Sequence, residues 1–297
     1  MNQPSLNFVN CLDAQGQHRM AYWQWGEPGA DHVIICAHGL SRQGRDFDVL
    51  AQALCEAAKG KMRVICLDVV GRGKSDWLKD PMGYQIPQYA ADMVALIEQL
   101  QPKTLDWVGT SMGGLIGTVI CGQPDLTLPV PVRKLVLNDV GPAIEWSAIQ
   151  RIGQYIGKAG QFETIQQVAE AMWAISRSFG PHTPAQWLAL SEAMVKPSGS
   201  GFTLHYDPAL AIPFNSATEE STKQGTAMLW ALYDNIKAQT LVTRGANSDL
   251  LSKATAQAMT QRGPKAQLVE FAGVGHAPTF IAPDQVKVVV EFLLGKS

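Results

Sequence analysis

Six stretches of this sequence are apolar almost from end to end: "HVIICAHG", "RVICLDVVG", "LDWVG", "KLVLNDVG", "TLVTRG" and "AQLVEFAG". A strand with one face in water alternates apolar with polar residues. A run without that alternation suits a strand buried on both faces, as in a parallel sheet covered by helices. Helical patterns lie between most of these runs, at 47–58, 86–100, 114–121, 253–262 and 284–294. Strand and helix in alternation predict an α/β fold with helices on both faces of a mostly parallel sheet. Two earlier runs, "NFVNCLD" and "HRMAYWQWG", flank the turn "DAQGQ" and read as an antiparallel pair. The sheet then has eight strands.

One interval breaks the rhythm. Between Val140 and Ala238 no comparable apolar strand occurs, only helical patterns and the short extended piece "GFTLHYDP". We read residues 142–224 as an inserted helical cap over the strand ends, with the core formed by 1–141 and 225–297. Hydrophobic residues make up 46% and charged residues 17% of 297, enough to bury a large core. The net charge is −2 without a long run of one sign, so neither nucleic acid nor an anionic membrane is expected as a partner. The five cysteines form no C-x-x-C pair, which argues against a zinc site or a disulfide framework. We see no secretory signal and no apolar window of spanning length, and so expect a cytoplasmic protein.

"WVGTSMGGLIG" places Ser111 between Gly109 and Gly113, after a predicted strand and before a predicted helix. That is the setting of a G-x-S-x-G nucleophile elbow, in which glycines permit a sharp turn that presents one hydroxyl at the sheet edge. A Gly-rich turn with a capping serine is the plainer alternative. A serine nucleophile needs a base. His276, in "FAGVGHAPTF", is the one histidine both late in the chain and just after a strand. The base in turn needs a carboxylate to hold its tautomer. Asp249 and Asp139 each follow a strand on the same edge. Asp249 is preferred, because it gives the chain order Ser, Asp, His that accompanies this elbow.

These residues resemble the α/β-hydrolase superfamily, and the resemblance runs through essentially the whole chain. "HGL" after the third strand, "GTSMGG" at the elbow, "GANSDLLS" and "GVGH" fall in the family's order. The resemblance implies an α/β-hydrolase fold, a Ser111–Asp249–His276 triad, and an oxyanion hole from the backbone N–H groups of Leu40 and Met112. It also implies that His38 organises its loop and that residues 68–75 form a structural turn. "DVVGRGKS" in that turn lacks the first glycine of a phosphate-binding loop, having Asp68 there, and no helix follows it. In the cap, Trp146, Trp173 and Trp187 are candidate pocket residues. Arg177 is a candidate for a substrate acid group, as in hydrolases that cleave carbon–carbon bonds in dienoates. The expected activity is hydrolysis of a small to medium carboxylic ester through an acyl-enzyme, without cofactor or metal. A carbon–carbon hydrolase, lactonase, thioesterase, perhydrolase or non-catalytic receptor on the same fold are the alternatives.

Overall fold

A computed structural model describes residues 3–295. The chain opens with a hairpin of β1 (Ser5–Asp13) and β2 (Gly16–Gly26). Then come β3 (His32–Ala37), α1 (Asp48–Ala57), β4 (Arg63–Asp68), α2 (Ile86–Leu100), β5 (Thr104–Thr110), α3 (Met112–Gly122) and β6 (Val132–Asn138). After a long excursion it returns with β9 (Gln239–Gly245), α9 (Lys253–Met259), β10 (Gln267–Phe271) and α10 (Pro283–Leu294). The excursion carries α4 (Trp146–Gly153), α5 (Ile165–Ser176), α6 (Pro184–Glu192), the hairpin β7 (Val195–Ser198) and β8 (Gly201–Leu204), α7 (Ala211–Asn215) and α8 (Glu219–Asn235).

Eight strands form one sheet in the order β1-β2-β4-β3-β5-β6-β9-β10. β2 runs antiparallel to β1 and β4, and the remaining pairs are parallel. The expected α/β-hydrolase sheet is therefore present. β3 shows why its sequence does not alternate. Val33, Ile35 and Ala37 join one buried cluster, while Ile34 and Cys36 join another on the opposite face. The first cluster packs beneath α2 and α3, and the second beneath α1 and α10. Each CH2 buried in this way contributes about 0.8 kcal/mol.

The helices between β6 and β9 build a third cluster of their own, from Val168, Ala169, Met172, Trp187, Leu190 and Met194. α8 is different. Its Leu232 backbone lies so close to Gly122 of α3 that a Cβ there would run into the Leu232 carbonyl. The boundary expected near residue 224 thus falls inside a helix whose later turns pack on the core. The turn at 68–75 is closed on itself: the Asp68 carboxylate accepts the backbone N–H groups of Gly44 and Lys74, both at 2.8 Å. Among the described residues, no helix is long and apolar enough to cross a membrane.

Candidate active site

β5 ends at Thr110, α3 begins at Met112, and Ser111 is the single residue between them. Its backbone has φ 51° and ψ −116°, a conformation that costs a side-chain-bearing residue about 1–3 kcal/mol. The surroundings hold it there. The Ser111 N–H donates to the Asn138 carbonyl at 3.0 Å, and the Gly113 N–H donates to the His38 carbonyl at 3.1 Å. The two flanking glycines are explained by close approach. A Cβ on Gly113 would collide with the Ala37 carbonyl, and one on Gly109 with the Gly113 carbonyl. Both obstacles are backbone and cannot rotate away. Gly113→Ala is therefore expected to destabilise the protein by about 1–3 kcal/mol, the range for overpacking. A urea midpoint unchanged from wild type would show that the elbow has room to spare.

Three side chains from three strand ends meet at this turn. His276, in the loop between β10 and α10, places Nε2 3.0 Å from the Ser111 Oγ. Its Nδ1 lies 2.7 Å from the Asp139 Oδ2. A carboxylate only accepts hydrogen bonds, so Nδ1 carries the proton in the neutral ring. Nε2 is then free to accept from the serine hydroxyl. Asp139 is fully buried, and His276 is nearly so. The Asp139 Oδ1 accepts the Gly245 N–H at 2.8 Å, and Oδ2 also accepts the Ser248 hydroxyl at 2.6 Å.

The preference for Asp249 is corrected by this geometry. Asp249 is exposed and grips Arg151 instead, accepting from Nε at 2.6 Å and Nη2 at 3.0 Å. Both acids follow strands on the same edge, and local backbone decides between them. Asp139 directly follows β6 with φ 55° and donates its N–H to the Thr243 carbonyl. That conformation turns its side chain inward between β9 and His276. After β9 the chain turns at Gly245–Ser248, which presents Ser248 to the site and carries Asp249 outward. The helix that follows, α9, is capped by Ser252.

His38 is fully buried beside the site. The Val69 N–H donates to its Nε2 at 3.0 Å, and Nδ1 lies 2.7 Å from the Gly39 carbonyl, so the ring is neutral with its proton on Nδ1. Burial first, then the charge of Arg72, pushes its pKa down to about 3. In the unfolded chain it takes up a proton near pH 6.5. Its contribution to stability is thus complete above that pH and is lost as the pH falls toward 3. Asp68 works in the opposite sense, since burial raises its pKa to about 6; its contribution fades as the pH rises through that value. The test is therefore a comparison. On going from about pH 6.5 to 5, the wild type should lose urea midpoint relative to His38→Gln, because only the wild type carries the contribution that falls with pH. Equal slopes would mean that His38 titrates alike in both states.

Gly39 packs on the elbow, and a Cβ built there would lie 3.7 Å from the Ser111 Cβ. Leu40 follows at the wall of a cavity of about 260 Å³ that also contains Ser111 and His276. Met112 is the first residue of α3, where N–H groups lack intrahelical partners. Most of the remaining wall comes from the excursion, including Ile152, Tyr155, Phe162, Met172, Ile175, Phe179 and Met194.

The four cap residues expected at the pocket do not line it. Trp187 donates its indole N–H to the Ala169 carbonyl at 2.7 Å and stacks edge-on with Trp173, ring centroids 5.0 Å apart. The two tryptophans join α5 to α6. Trp146 lies on α4 five positions before Arg151, well round the helix from the lining residues Arg151 and Ile152. Arg177 is exposed. Tyr155 and Lys158 do line the pocket, and neither carries a sequence signal, because helical periodicity shows which face is buried and not whether a cavity lies beneath it.

Outside the pocket, Cys11, His18 and Asp92 are buried together. The His18 Nε2 lies 3.1 Å from the Asp92 Oδ2. Burial, and then Asp92, push the Cys11 thiol up to about 12, so it stays protonated at neutral pH. A metal would require the thiolate, and this group fits a buried hydrogen-bonded pair beside a neutral thiol.

Residues 34–290 match the model of the alpha/beta hydrolase family. The chain belongs to that family. It is 49% identical over 296 residues to a 3-hydroxybutyrate-oligomer hydrolase of Cupriavidus necator, covering 98% of each chain. Among solved structures it resembles a hydrolase of Rickettsia typhi at 28% identity, with a TM-score of 0.85 over 99% of this chain and 100% of that one. An alpha/beta hydrolase of Novosphingobium aromaticivorans is 31% identical, with a TM-score of 0.83 and 99% coverage of both chains.

Proposed function

We propose that this α/β hydrolase is a serine esterase that cleaves short oligoesters of a hydroxy acid through an acyl-enzyme on Ser111. The observation that carries the reading is the hydrogen-bonded line from Asp139 through His276 to the Ser111 Oγ, at 2.7 and 3.0 Å. In this mechanism His276 Nε2 takes the hydroxyl proton as Oγ attacks the ester carbonyl. Asp139 keeps the ring in the required tautomer and stabilises the imidazolium that forms. The N–H groups of Leu40 and Met112 receive the developing oxyanion, and one such donor contributes about 3–4 kcal/mol to the transition state. His276 then protonates the departing alkoxide. Water enters, gives its proton to the same nitrogen and releases the acid.

The helices between β6 and β9 act as the cap, and their apolar wall favours an aliphatic chain and keeps bulk water from the acyl-enzyme. The substrate class is suggested by the Cupriavidus necator relative, whose name describes hydrolysis of 3-hydroxybutyrate oligomers. A carbon–carbon cleavage reading loses its support, since the arginine it relied on, Arg177, lies outside the pocket. The test is turnover of 3-hydroxybutyrate dimer and trimer beside a panel of p-nitrophenyl esters, thioesters and dienoates, with the released acid identified. Faster turnover of a thioester or dienoate than of any oxygen ester would replace this reading.

A further inference from the structure

We propose that Arg151 and Lys158 form a carboxylate-recognising edge of the Ser111 pocket, so that a free acid terminus on the ester governs substrate choice. The inference rests on the ester-hydrolase reading above and specifies its substrate. Apart from His276, the pocket wall carries three ionisable cations, Arg42, Arg151 and Lys158, and no acidic side chain. Arg42 is 8% exposed; the Asp46 carboxylate accepts from its Nε and Nη2, both at 2.7 Å, and its buried Nη1 has no hydrogen-bond partner among the described residues. The other two are more open to solvent. Asp249 occupies one edge of the Arg151 guanidinium, through Nε and Nη2, and leaves Nη1 outside that pair. Lys158 is exposed and forms no ion pair among the described residues.

Their arrangement is continuous. After α4 the chain continues in turns, with the Tyr155 N–H donating to the Ile152 carbonyl and the Lys158 N–H to the Tyr155 carbonyl across the left-handed Gly157. Residues 151, 155 and 158 from this one segment all line the cavity. An anion entering an apolar pocket loses hydration and needs a partner there. A guanidinium and an ammonium beside a tyrosine hydroxyl supply one. Every oligomer of a hydroxy acid ends in one carboxylate, set a fixed number of bonds from each ester. Capture of that end would orient the chain over Ser111. Asp249 becomes a positioning residue, holding Arg151 from the loop after β9.

The experiment compares the 3-hydroxybutyrate dimer with its methyl ester. Wild-type protein should favour the free acid in kcat/KM by about tenfold or more, the size expected of one charge-assisted contact. Lys158→Met and Arg151→Met should each raise KM for the acid several-fold more than for the methyl ester, and Arg151→Lys should recover part of the loss. Asp249→Asn should act in the same direction through KM and not kcat. Equal use of acid and methyl ester by the wild type, or equal effects on both substrates in the variants, would overturn the proposal. Binding of 3-hydroxybutyrate and of its methyl ester to Ser111→Ala protein, by calorimetry, separates the two readings. Preference for the acid without any turnover by wild type keeps the carboxylate edge and removes the esterase. No preference removes the edge, whatever the activity.

Discussion

Ser111→Ala is expected to lower kcat on an ester by about 10⁴-fold or more while leaving the fold intact. The size follows from the role. Without Oγ there is no atom to form the acyl-enzyme, and His276 has no hydroxyl to deprotonate. Residual rate would come from the N–H groups of Leu40 and Met112 acting on attack by water. The fold should survive because the side chain contributes one partly buried hydrogen bond, at 3.0 Å to His276. Alanine also relieves none of the backbone demand at φ 51°, so the elbow remains as it is. A fluorophosphonate should label the wild type at Ser111 and leave the alanine variant unlabelled. Labelling at another residue, or an alanine variant with wild-type turnover, would remove the mechanism.

Asp139→Asn is expected to lose about 10³–10⁴-fold in kcat, by analogy with triads whose acid is neutralised. An amide at this position presents either an acceptor or a donor to His276 Nδ1. The donor orientation forces the proton to Nε2, where it blocks acceptance from Ser111. The Gly245 N–H and the Ser248 hydroxyl both donate to the native carboxylate, so the amide also leaves one of these donors without its acceptor. In kcat, the loss should exceed that of Asp249→Asn by about a hundredfold or more. The reverse ranking would mean that the loop after β9 rearranges to bring Asp249 to the histidine. A pH-rate profile for each variant completes the comparison, since only the residue bonded to His276 should alter the acidic limb.

Much of this molecule could be read from order and pattern along the chain. The non-alternating apolar runs declared strands buried on two faces, because alternate side chains of β3 must each find a separate apolar layer. The elbow could be read because its requirements are local. Gly109 and Gly113 are needed within two residues of Ser111, whatever the rest of the chain does. His276 could be read from its place after the last strand, as strands of a parallel sheet all deliver their ends to one edge.

The acid could not be settled in this way. Asp139 and Asp249 both follow strands on that edge, and chain order favoured the one that pairs with Arg151 and not with His276. The outcome depends on the left-handed turn at Asp139 and on a bond from its N–H to Thr243 of the neighbouring strand, neither of which has a sequence signature. The pocket wall was hidden for a related reason. Tryptophans look like substrate contacts, yet Trp173 and Trp187 use their area to join α5 to α6. Which apolar residues face a cavity and which face each other depends on how helices far apart in sequence are packed. Sheet, elbow and histidine were legible along the chain, because local backbone geometry and burial period dictate them. The acid beside His276 and the lining of the pocket were not, because they depend on the direction in which side chains from separate strands and helices converge.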